Sequence, residues 1–220
     1  MALSLAYESA LWDAGARVVV GIDEVGRGAL AGPVSVGLVA VARCVAWPDG
    51  LADSKQLTAR AREALIAPLS SFGIGRAVGH ASAAEIDRLG IIGALRLAGL
   101  RGLRALASDG VVPDAVLLDG THDWLTCPPA DLFSDAAANE EVPPPVTMVV
   151  KGDGLCASIA AASVIAKVER DGLMRAAHVE HPHFGWDGNK GYGAAAHLDA
   201  IREHGPSEWH RISWKLPSAK

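Results

Sequence analysis

Two adjacent carboxylates stand out because they directly follow an apolar run. Asp23 and Glu24 come after Arg17–Ile22 (RVVVGI), which predicts a buried strand that ends at these acids. Neighbours in a strand point to opposite faces, so the two carboxylates can converge only where the strand ends or bulges. The glycines of Gly26–Pro33 supply that freedom and expose backbone N–H groups to a ligand. On this segment alone, a tight turn with two solvated acids is the alternative.

Two further acids occupy comparable positions. Asp119 follows the apolar run Ala115–Leu118, and Asp153 comes shortly after Val146–Val150. A single acid after a strand usually forms a turn, but four carboxylates at the ends of neighbouring strands repel one another unless a cation neutralises them. Oxygen ligands suit Mg²⁺ or Mn²⁺. Two such ions about 3.5–4 Å apart activate a water and stabilise the leaving oxygen of a phosphodiester. The pattern therefore predicts metal-dependent phosphodiester hydrolysis.

The same glycine-rich segment superficially matches a dinucleotide-binding fingerprint. GRGALA has the spacing G-x-G-x-x-A after a strand, but that fingerprint requires a helix to follow. Pro33 and an alternating, strand-like run follow instead, which disfavours a nicotinamide-dependent oxidoreductase.

The elements that must position these residues form an α/β pattern. Strands are predicted at Arg17–Ile22, Pro33–Ala42, within Phe72–Ser82, at Ala115–Leu118 and at Val146–Val150. Helices are predicted at Asp53–Leu69, Ala84–Leu106, Leu155–His178 and Ala194–His204. This order predicts one α/β domain over 1–220, with a mixed five-stranded sheet flanked by helices. Residues 17–178 would form its core and 179–220 a C-terminal helical extension.

Two segments depart from simple periodicity. The second predicted helix contains Gly90, Gly93, Gly99 and Gly102, each of which weakens a helix by up to about 1 kcal/mol. Thr121–Pro145 is rich in proline and acids and has no periodicity, so we expect an inserted surface loop there.

Charge is unevenly distributed along the 220 residues. The net charge of −5 alone argues against a nucleic-acid partner, but eight acids lie between Ala105 and Val150, where no Lys or Arg occurs. The rest of the chain has 20 basic against 17 acidic residues. A basic groove that binds a phosphate backbone is therefore compatible with the composition.

Composition also indicates a cellular compartment. The three cysteines, Cys44, Cys127 and Cys156, are scattered and form no CxxC pair, which argues against a disulfide scaffold and fits a reducing cytosol. The apolar runs are too short to span a bilayer, and Met1–Gly15 lacks the features of a signal peptide. We expect a cytoplasmic protein with no membrane partner.

A series of motifs then points to a family. In order along the chain they are GIDEVGRGALAGPV, DSKQLT, LLDG, KGD, SIAAASVIAKVERD, HPHFGWDGNKGYG and HRISW. From about Val18 to Trp214, the chain resembles bacterial type 2 ribonuclease H (ribonuclease HII). The resemblance implies a ribonuclease H-like fold, a monomer, and endonucleolytic cleavage of the RNA strand of RNA–DNA hybrids. It also implies incision 5′ to single ribonucleotides embedded in duplex DNA, which leaves a 5′-phosphate and a 3′-hydroxyl and serves ribonucleotide excision repair.

The resemblance also implies roles for individual residues. The family's catalytic, metal-binding carboxylates fall on the four acids described above. Its ribonucleotide-recognition residues, the backbone of a GRG turn and a tyrosine, fall on Gly26, Arg27, Gly28 and Tyr192. Only the 2′-hydroxyl distinguishes RNA from DNA at one nucleotide, and it both donates and accepts hydrogen bonds. The alternative for Tyr192 is an ordinary half-buried core residue.

Other positions match the family less specifically. Lys55 corresponds to a lysine near the active site, for which a phosphate contact is the natural role, with Lys190 and Arg211 as weaker candidates of the same kind. Asp171 matches a family position but is interpreted as an acid behind the site or on the helix surface. The histidines of His181–His183 are interpreted as structural.

Two other classes of function are compatible with these residues. One is a metal-dependent nuclease or recombinase of the same fold without ribose selectivity. The other is a catalytically silent hybrid-binding module, against which the presence of all four carboxylates argues.

Overall fold

A mixed five-stranded sheet forms the centre of the computed structural model, which describes residues 3–126 and 142–218. The strands are β1 (Val18–Val25), β2 (Val34–Ala42), β3 (Gly75–Ala81), β4 (Ala115–Asp119) and β5 (Val146–Val149). Their order is β3-β2-β1-β4-β5; β1, β2 and β3 are antiparallel neighbours, whereas β4 runs parallel to both β1 and β5. The predicted α/β class and mixed sheet are confirmed, and the carboxyl ends of β1, β4 and β5 meet at one edge.

Helices cover both faces of this sheet. They are α1 (Ala6–Asp13), α2 (Ala59–Leu69), α3 (Ala83–Ser108), α4 (Ala157–Glu180), α5 (Trp186–Asn189) and α6 (Ala195–His204). The predictions for α3, α4 and α6 are confirmed to within two residues, whereas α1 and α5 were not predicted. The predicted helix Asp53–Leu69 is divided in two, because Asp53 caps a short 3₁₀ turn at Ser54–Gln56 and Thr58 caps α2 separately.

The alternation of side chains along the strands assigns each face to one long helix. Val19 of β1 and Leu117 of β4 pack in the core beneath α4, whereas Val20 and Leu118 pack in the core beneath α3. Because both faces are covered, the central strands are apolar at successive positions instead of alternating with polar residues.

Glycines allow the helices to lie unusually close to the sheet. A Cβ at Gly21 or Gly37 would overlap the α4 backbone at Ser158 or Ala162, and a Cβ at Gly79 would overlap the α3 backbone at Ala98. These three strand positions therefore accept no larger residue without displacement of a helix.

The glycines of α3 have different effects. Gly90 adopts φ +69°, outside the helical region, and kinks α3, in line with the predicted weakening. Gly102 is buried, and a Cβ there would overlap the side chain of Leu38. The expectation that Gly102 only weakens the helix is therefore incomplete, because it also permits close contact between α3 and the sheet.

The segment predicted as the surface loop Thr121–Pro145 is partly buried. Its residues 127–141 lie outside the described part of the chain. Trp124 and Leu125, however, are buried beside α3, next to Gly99. The surface-loop prediction is wrong for these two residues, since their large apolar side chains complete the core beneath α3.

The segment after α4 adds a third apolar cluster. Phe184, Trp186 and Ile201 pack against Met174 of α4, so this C-terminal region is attached to the helix that lies beneath the candidate site.

In the described ranges, no helix is both long and apolar enough to cross a membrane.

Candidate active site

Asp23 and Glu24 lie inside β1. The strand continues through Val25, with Asp23 opposite Gly37 and Glu24 opposite Val36 of β2. The prediction that the strand ends at Ile22 is therefore wrong, because β2 supplies ladder partners for three more residues. Alternation places Asp23 on the face covered by α4, where only 6% of it is exposed, and Glu24 on the opposite face.

Asp119 and Asp153 come from the two neighbouring parallel strands. Asp119 ends β4, and its Oδ1 accepts a hydrogen bond from the Gly152 N–H at 2.7 Å. Asp153 lies in the 3₁₀ turn Gly152–Gly154 that follows β5 and is 5% exposed. Because β4 pairs in parallel with both β1 and β5, the predicted acids lie at one edge of the sheet.

The carboxylates share one electrostatic environment. Burial raises the pKa of Asp23 well above its ordinary value, and the charges of Asp119, Glu24 and Asp153 raise it further. Burial, followed by the charge of Asp153, also raises the pKa of Asp119. Burial raises the pKa of Glu24 although Arg27, whose Nη1 lies 3.3 Å from Glu24 Oε1, acts in the opposite direction. The site therefore holds more negative charge than its protein surroundings neutralise.

Lys55 supplies part of the missing positive charge. The 3₁₀ turn that carries it is tied to α4, since the Ser54 N–H donates to Ser163 Oγ at 3.3 Å. Lys55 Nζ lies 2.7 Å from Asp153 Oδ2, and its side chain is 74% exposed. Partial burial acts to lower the pKa of Lys55, but the hydrogen bond to Asp153 and the charges of Asp153 and Asp23 outweigh it and raise that pKa. The structure thus places Lys55 at the site, with a carboxylate as its partner.

The four carboxylates are the residues that could hold a metal ion. Within 3–126 and 142–218, no group of three or more His, Cys, Asp or Glu residues is arranged so that it could hold a metal ion. The donors are nonetheless all carboxylate oxygens, and burial, followed by repulsion between the carboxylates, raises the pKa values of Asp23 and Asp119. Asp23 Oδ1 accepts from the Glu24 N–H, whereas Oδ2 accepts no hydrogen bond from the described residues. In donor chemistry and charge, this set fits a hard divalent cation.

A tight turn directly follows β1. Gly26 adopts φ +84°, and its carbonyl accepts a hydrogen bond from the Ala29 N–H at 3.2 Å. The N–H groups of Arg27 and Gly28 donate to no acceptor in the described part of the chain. The turn therefore presents two unused backbone donors beside the carboxylates.

Tyr192 lies next to this turn. The N–H groups of Leu30 and Ala31 both donate to the Gly191 carbonyl, at 2.8 and 3.1 Å, and so join the two segments. Tyr192 is 37% exposed, and its ring centroid lies 5.6 Å from the Arg170 guanidinium carbon. The segment that carries Tyr192 is therefore joined to the residues that follow Gly28, and the exposure of Tyr192 is not that of a core residue.

Two buried arginines bind the backbone of the turn, a role that the sequence did not predict for them. Arg170 and Arg211 are both fully buried and donate to backbone carbonyls of the turn and its surroundings. The interpretation of Arg211 as a phosphate ligand is wrong, because its guanidinium faces the interior. The sequence contains no direct signal for these contacts, because every residue has the same backbone carbonyl.

The remaining candidates lie around the site. Asp171 is buried and its Oδ1 lies 2.8 Å from Lys167 Nζ, so a lysine is its partner. The Lys190 ammonium hydrogen-bonds the Asp187 carbonyl. His183 packs on Phe184 with ring centroids 4.1 Å apart, in agreement with the structural interpretation of that loop.

Comparison with known proteins places this geometry in context. A family model described as Ribonuclease HII matches residues 20–217. A ribonuclease HII of Streptomyces avermitilis is 46% identical over 200 residues, which cover 91% of this chain and 78% of the relative. A ribonuclease HII of Ralstonia nicotianae is 40% identical over 214 residues, which cover 97% of this chain and 84% of the relative.

Solved structures agree at the level of the fold. The ribonuclease HII of Archaeoglobus fulgidus, solved in complex with PCNA, matches with a TM-score of 0.66 and 21% identity over 92% of this chain and 98% of that chain. A Bst-RNase HIII solved with Mn²⁺ matches with a TM-score of 0.64 and 19% identity over 90% of this chain and 67% of that chain. These likenesses confirm the predicted ribonuclease H-like fold.

Proposed function

We propose a specific activity from the premise that this chain belongs to the ribonuclease HII family, which makes it a ribonuclease H and an endonuclease. The chain cleaves the RNA strand of RNA–DNA hybrids. It also cuts 5′ to a single ribonucleotide in duplex DNA, and the products carry a 5′-phosphate and a 3′-hydroxyl. The observation that carries this finer activity is the pair of unused N–H groups at Arg27 and Gly28, beside the exposed Tyr192 and the buried carboxylates.

Asp23, Glu24, Asp119 and Asp153 are the residues that would hold Mg²⁺ or Mn²⁺. When bound, such cations lower the pKa of a water and stabilise the charge that develops on the leaving oxygen of a phosphodiester. The number of ions, two, stays a prediction. What the chain itself supplies is a set of oxygen donors whose burial and mutual repulsion, which raise the pKa values of Asp23 and Asp119, favour neutralisation by a cation.

Lys55 and Arg27 supply positive charge on the substrate side. The Lys55 side chain is 74% exposed and the Arg27 side chain 46% exposed, although each contacts a carboxylate of the site. Both can therefore donate to phosphate oxygens while they remain beside the acids. They reduce the repulsion that a polyanionic duplex meets as it approaches four carboxylates.

Ribose selectivity comes from hydrogen bonds that only a 2′-hydroxyl can complete. The N–H groups of Arg27 and Gly28 donate to its oxygen, and the phenol of Tyr192 bonds it from the neighbouring loop. Deoxyribose offers no oxygen there, so the polar groups lose their partner when the substrate is DNA. Sites built to bond a substrate hydroxyl discriminate by about 10⁴–10⁵ against the analogue that lacks it.

Three duplexes of one sequence test this function. One is all DNA, one carries a single ribonucleotide and one is a continuous RNA–DNA hybrid; each is incubated with Mg²⁺ or Mn²⁺, and the product ends are mapped. We expect cleavage of the two RNA-containing duplexes only, and no cleavage by Asp119→Asn, which keeps the shape of the side chain. Equal cleavage of the all-DNA duplex would indicate a nuclease without ribose selectivity, and binding without cleavage would indicate a binding module.

Tyr192→Phe tests the hydroxyl-recognition step separately. Because one hydrogen bond contributes about 0.5–1.5 kcal/mol, we expect cleavage at a lone ribonucleotide to slow by up to about tenfold while the dissociation constant for the duplex changes little. Equal losses in cleavage and in binding would mean that Tyr192 only packs against the turn.

A further inference from the structure

Two arginine side chains are buried behind the turn at Gly26–Pro33, which we call the selectivity turn. Arg170 of α4 and Arg211, which follows α6, are each 0% exposed. Neither forms an ion pair within the described ranges; each donates instead to backbone carbonyls. Isolated buried cations are costly, so two adjacent ones call for a specific reason.

Arg211 holds the two ends of the turn. Its Nη2 donates to the Gly26 carbonyl at 2.7 Å and to the Gly32 carbonyl at 3.0 Å, and its Nη1 donates to the Arg27 carbonyl at 2.9 Å. The guanidinium is supported from the other side by the ring of Trp214, 4.9 Å away. The carbonyls at both ends of the turn are thus drawn into the protein.

Arg170 holds the second half and joins it to the tyrosine loop. It donates to the Ala31 and Pro33 carbonyls at 3.1 and 2.8 Å, and to the Lys190 carbonyl at 2.9 Å. Its guanidinium also approaches the Tyr192 ring. One side chain therefore bridges the two segments that carry the proposed 2′-hydroxyl ligands.

We infer that Arg170 and Arg211 are positioning residues for ribose recognition. By fixing the carbonyls of the turn on the inside, they leave the Arg27 and Gly28 N–H groups facing the substrate at a set distance from Tyr192. This inference rests on the proposed function and assigns the geometry of its selectivity site to two residues that substrate does not touch.

The requirement for arginine follows from geometry. A guanidinium carries five N–H donors in a rigid plane, so one side chain can serve three carbonyls that lie in different directions. A lysine ammonium cannot span that separation. Gly26 must also be glycine, because a Cβ there would overlap the Arg170 guanidinium. Burial and then the charge of Arg170 lower the pKa of Arg211 to about 9, so Arg211 keeps its charge at neutral pH.

Arg170→Lys and Arg211→Lys test the inference, with Leu106→Ala as the control. Leu106 lies in the last turn of α3, buried near the start of β3 and away from the turn after β1, so its truncation lowers stability without touching the site. We expect kcat at a single ribonucleotide to fall by about 10²-fold in each lysine variant, since small misplacements have effects of that size. Binding of the all-DNA duplex should not change. Leu106→Ala should keep the wild-type kcat below its melting temperature.

A rescue experiment separates positioning from general damage. Arg211→Ala leaves a cavity shaped for a guanidinium ion, so millimolar guanidinium chloride should restore part of its kcat, whereas sodium chloride at equal ionic strength should not. Lysine variants that keep the wild-type kcat would overturn the inference. A fall in their kcat no larger than that of Leu106→Ala, when the melting temperatures fall equally, would overturn it as well. Failure of the wild-type chain to cut a ribonucleotide-containing duplex would instead refute the proposed function, and the inference with it.

Discussion

At the residue scale, the candidate site contains carboxylates whose ionised form is destabilised by burial and by neighbouring negative charges. Asp23 lies within a strand, is almost fully buried, and is surrounded by Asp119, Glu24 and Asp153. Among the residues that the structure describes, the one direct lysine contact in this cluster is that of Lys55 with Asp153. Because an ionised carboxylate in such surroundings lowers the free energy of unfolding, activity and stability should oppose each other at this position.

Asp23→Asn should therefore stabilise the cation-free protein while it abolishes cleavage. The amide has the same shape and its oxygen can still accept from the Glu24 N–H. We expect the free energy of unfolding to rise by about 1 kcal/mol, and the melting temperature by about 2–4 °C, at neutral pH. The raised folded-state pKa means that the wild type recovers this loss as the pH falls and Asp23 becomes protonated, so the gain should vanish in acid.

Asp114→Asn is the matched control for that prediction. Asp114 accepts backbone hydrogen bonds from Arg17 and Val18 at 2.9 Å, which lower its pKa, so the same substitution should lower the melting temperature. Thermal unfolding in a chelator measures both variants. A lower melting temperature for Asp23→Asn at neutral pH would contradict the assignment of a destabilising charge.

At the scale of secondary structure elements, strand glycines allow the long helices to pack directly against the backbone of the sheet. Gly21 and Gly37 face the α4 backbone, and Gly79 faces the α3 backbone. These glycines bring the long helices within backbone contact of β1, β2 and β3. A methyl group at such a position has no space to enter, because the atoms that oppose it belong to the main chain.

Gly79→Ala should lower the free energy of unfolding by about 1–3 kcal/mol, the usual effect of overpacking. Gly172→Ala, the same chemical change in α4, should raise it by up to about 1 kcal/mol, because no atom lies within 4 Å of its added methyl group and alanine favours a helix. Urea unfolding of both variants measures this contrast. Equal effects of the two substitutions would show that close contact between α3 and β3 is not required.

The sequence allowed most of these elements to be predicted, because their hydrophobic periodicity is local. The five strands and the long helices α3 and α4 follow from apolar runs and caps alone. The continuation of β1 through Asp23 and Glu24 did not follow, since acids rarely occupy strands and the partner strand β2 is what extends the ladder.

The candidate site was predictable to a similar degree. Its carboxylates could be placed at one edge of the sheet from strand ends, and the turn and Tyr192 came from the family resemblance. Arg170 and Arg211 could not be assigned, because each contacts carbonyls far away in sequence: Pro33 O lies 137 positions from Arg170, and Gly26 O lies 185 positions from Arg211. Such contacts are a property of the folded chain and leave no local pattern.

At the scale of the whole molecule, a buried polar network links the C-terminal region to the loop that carries Tyr192. His197 Nδ1 lies 2.8 Å from the Tyr192 carbonyl, and its Nε2 accepts from Trp186 Nε1 at 3.0 Å. His210 Nε2 lies 3.1 Å from the same His197 Nε2, and His210 Nδ1 accepts from the Ser207 N–H. We infer that both imidazoles are neutral, with the proton of His197 on Nδ1 and that of His210 on Nε2, since only this arrangement gives every bond one proton.

This network predicts that stability falls in mild acid. Burial and then the charge of His197 lower the pKa of His210 to about 4, whereas the unfolded chain takes up that proton near pH 6.5. Between these pH values the unfolded state binds more protons, so the free energy of unfolding should decrease as the pH falls, with a slope of up to about 1.4 kcal/mol per pH unit.

His210→Gln should flatten that slope, although it lowers stability at neutral pH. The measurement is urea unfolding from pH 7 to pH 4.5, and the exposed His122→Gln is the control that should keep the wild-type slope. An unchanged slope in His210→Gln would mean that other groups produce the acid sensitivity.

The close approach of α4 to the sheet also limits how this protein can adapt to its ligand. With main chain against main chain at Gly21 and Gly37, no layer of side chains exists there that could slide or repack. The contact between α4 and the sheet beneath the carboxylates is consequently rigid. Conformational adjustment is left to the edge of the site, where the Ser54–Gln56 turn carries Lys55. Any change of shape that binding requires must then come from the RNA–DNA substrate, so duplexes that deform easily should be the better substrates.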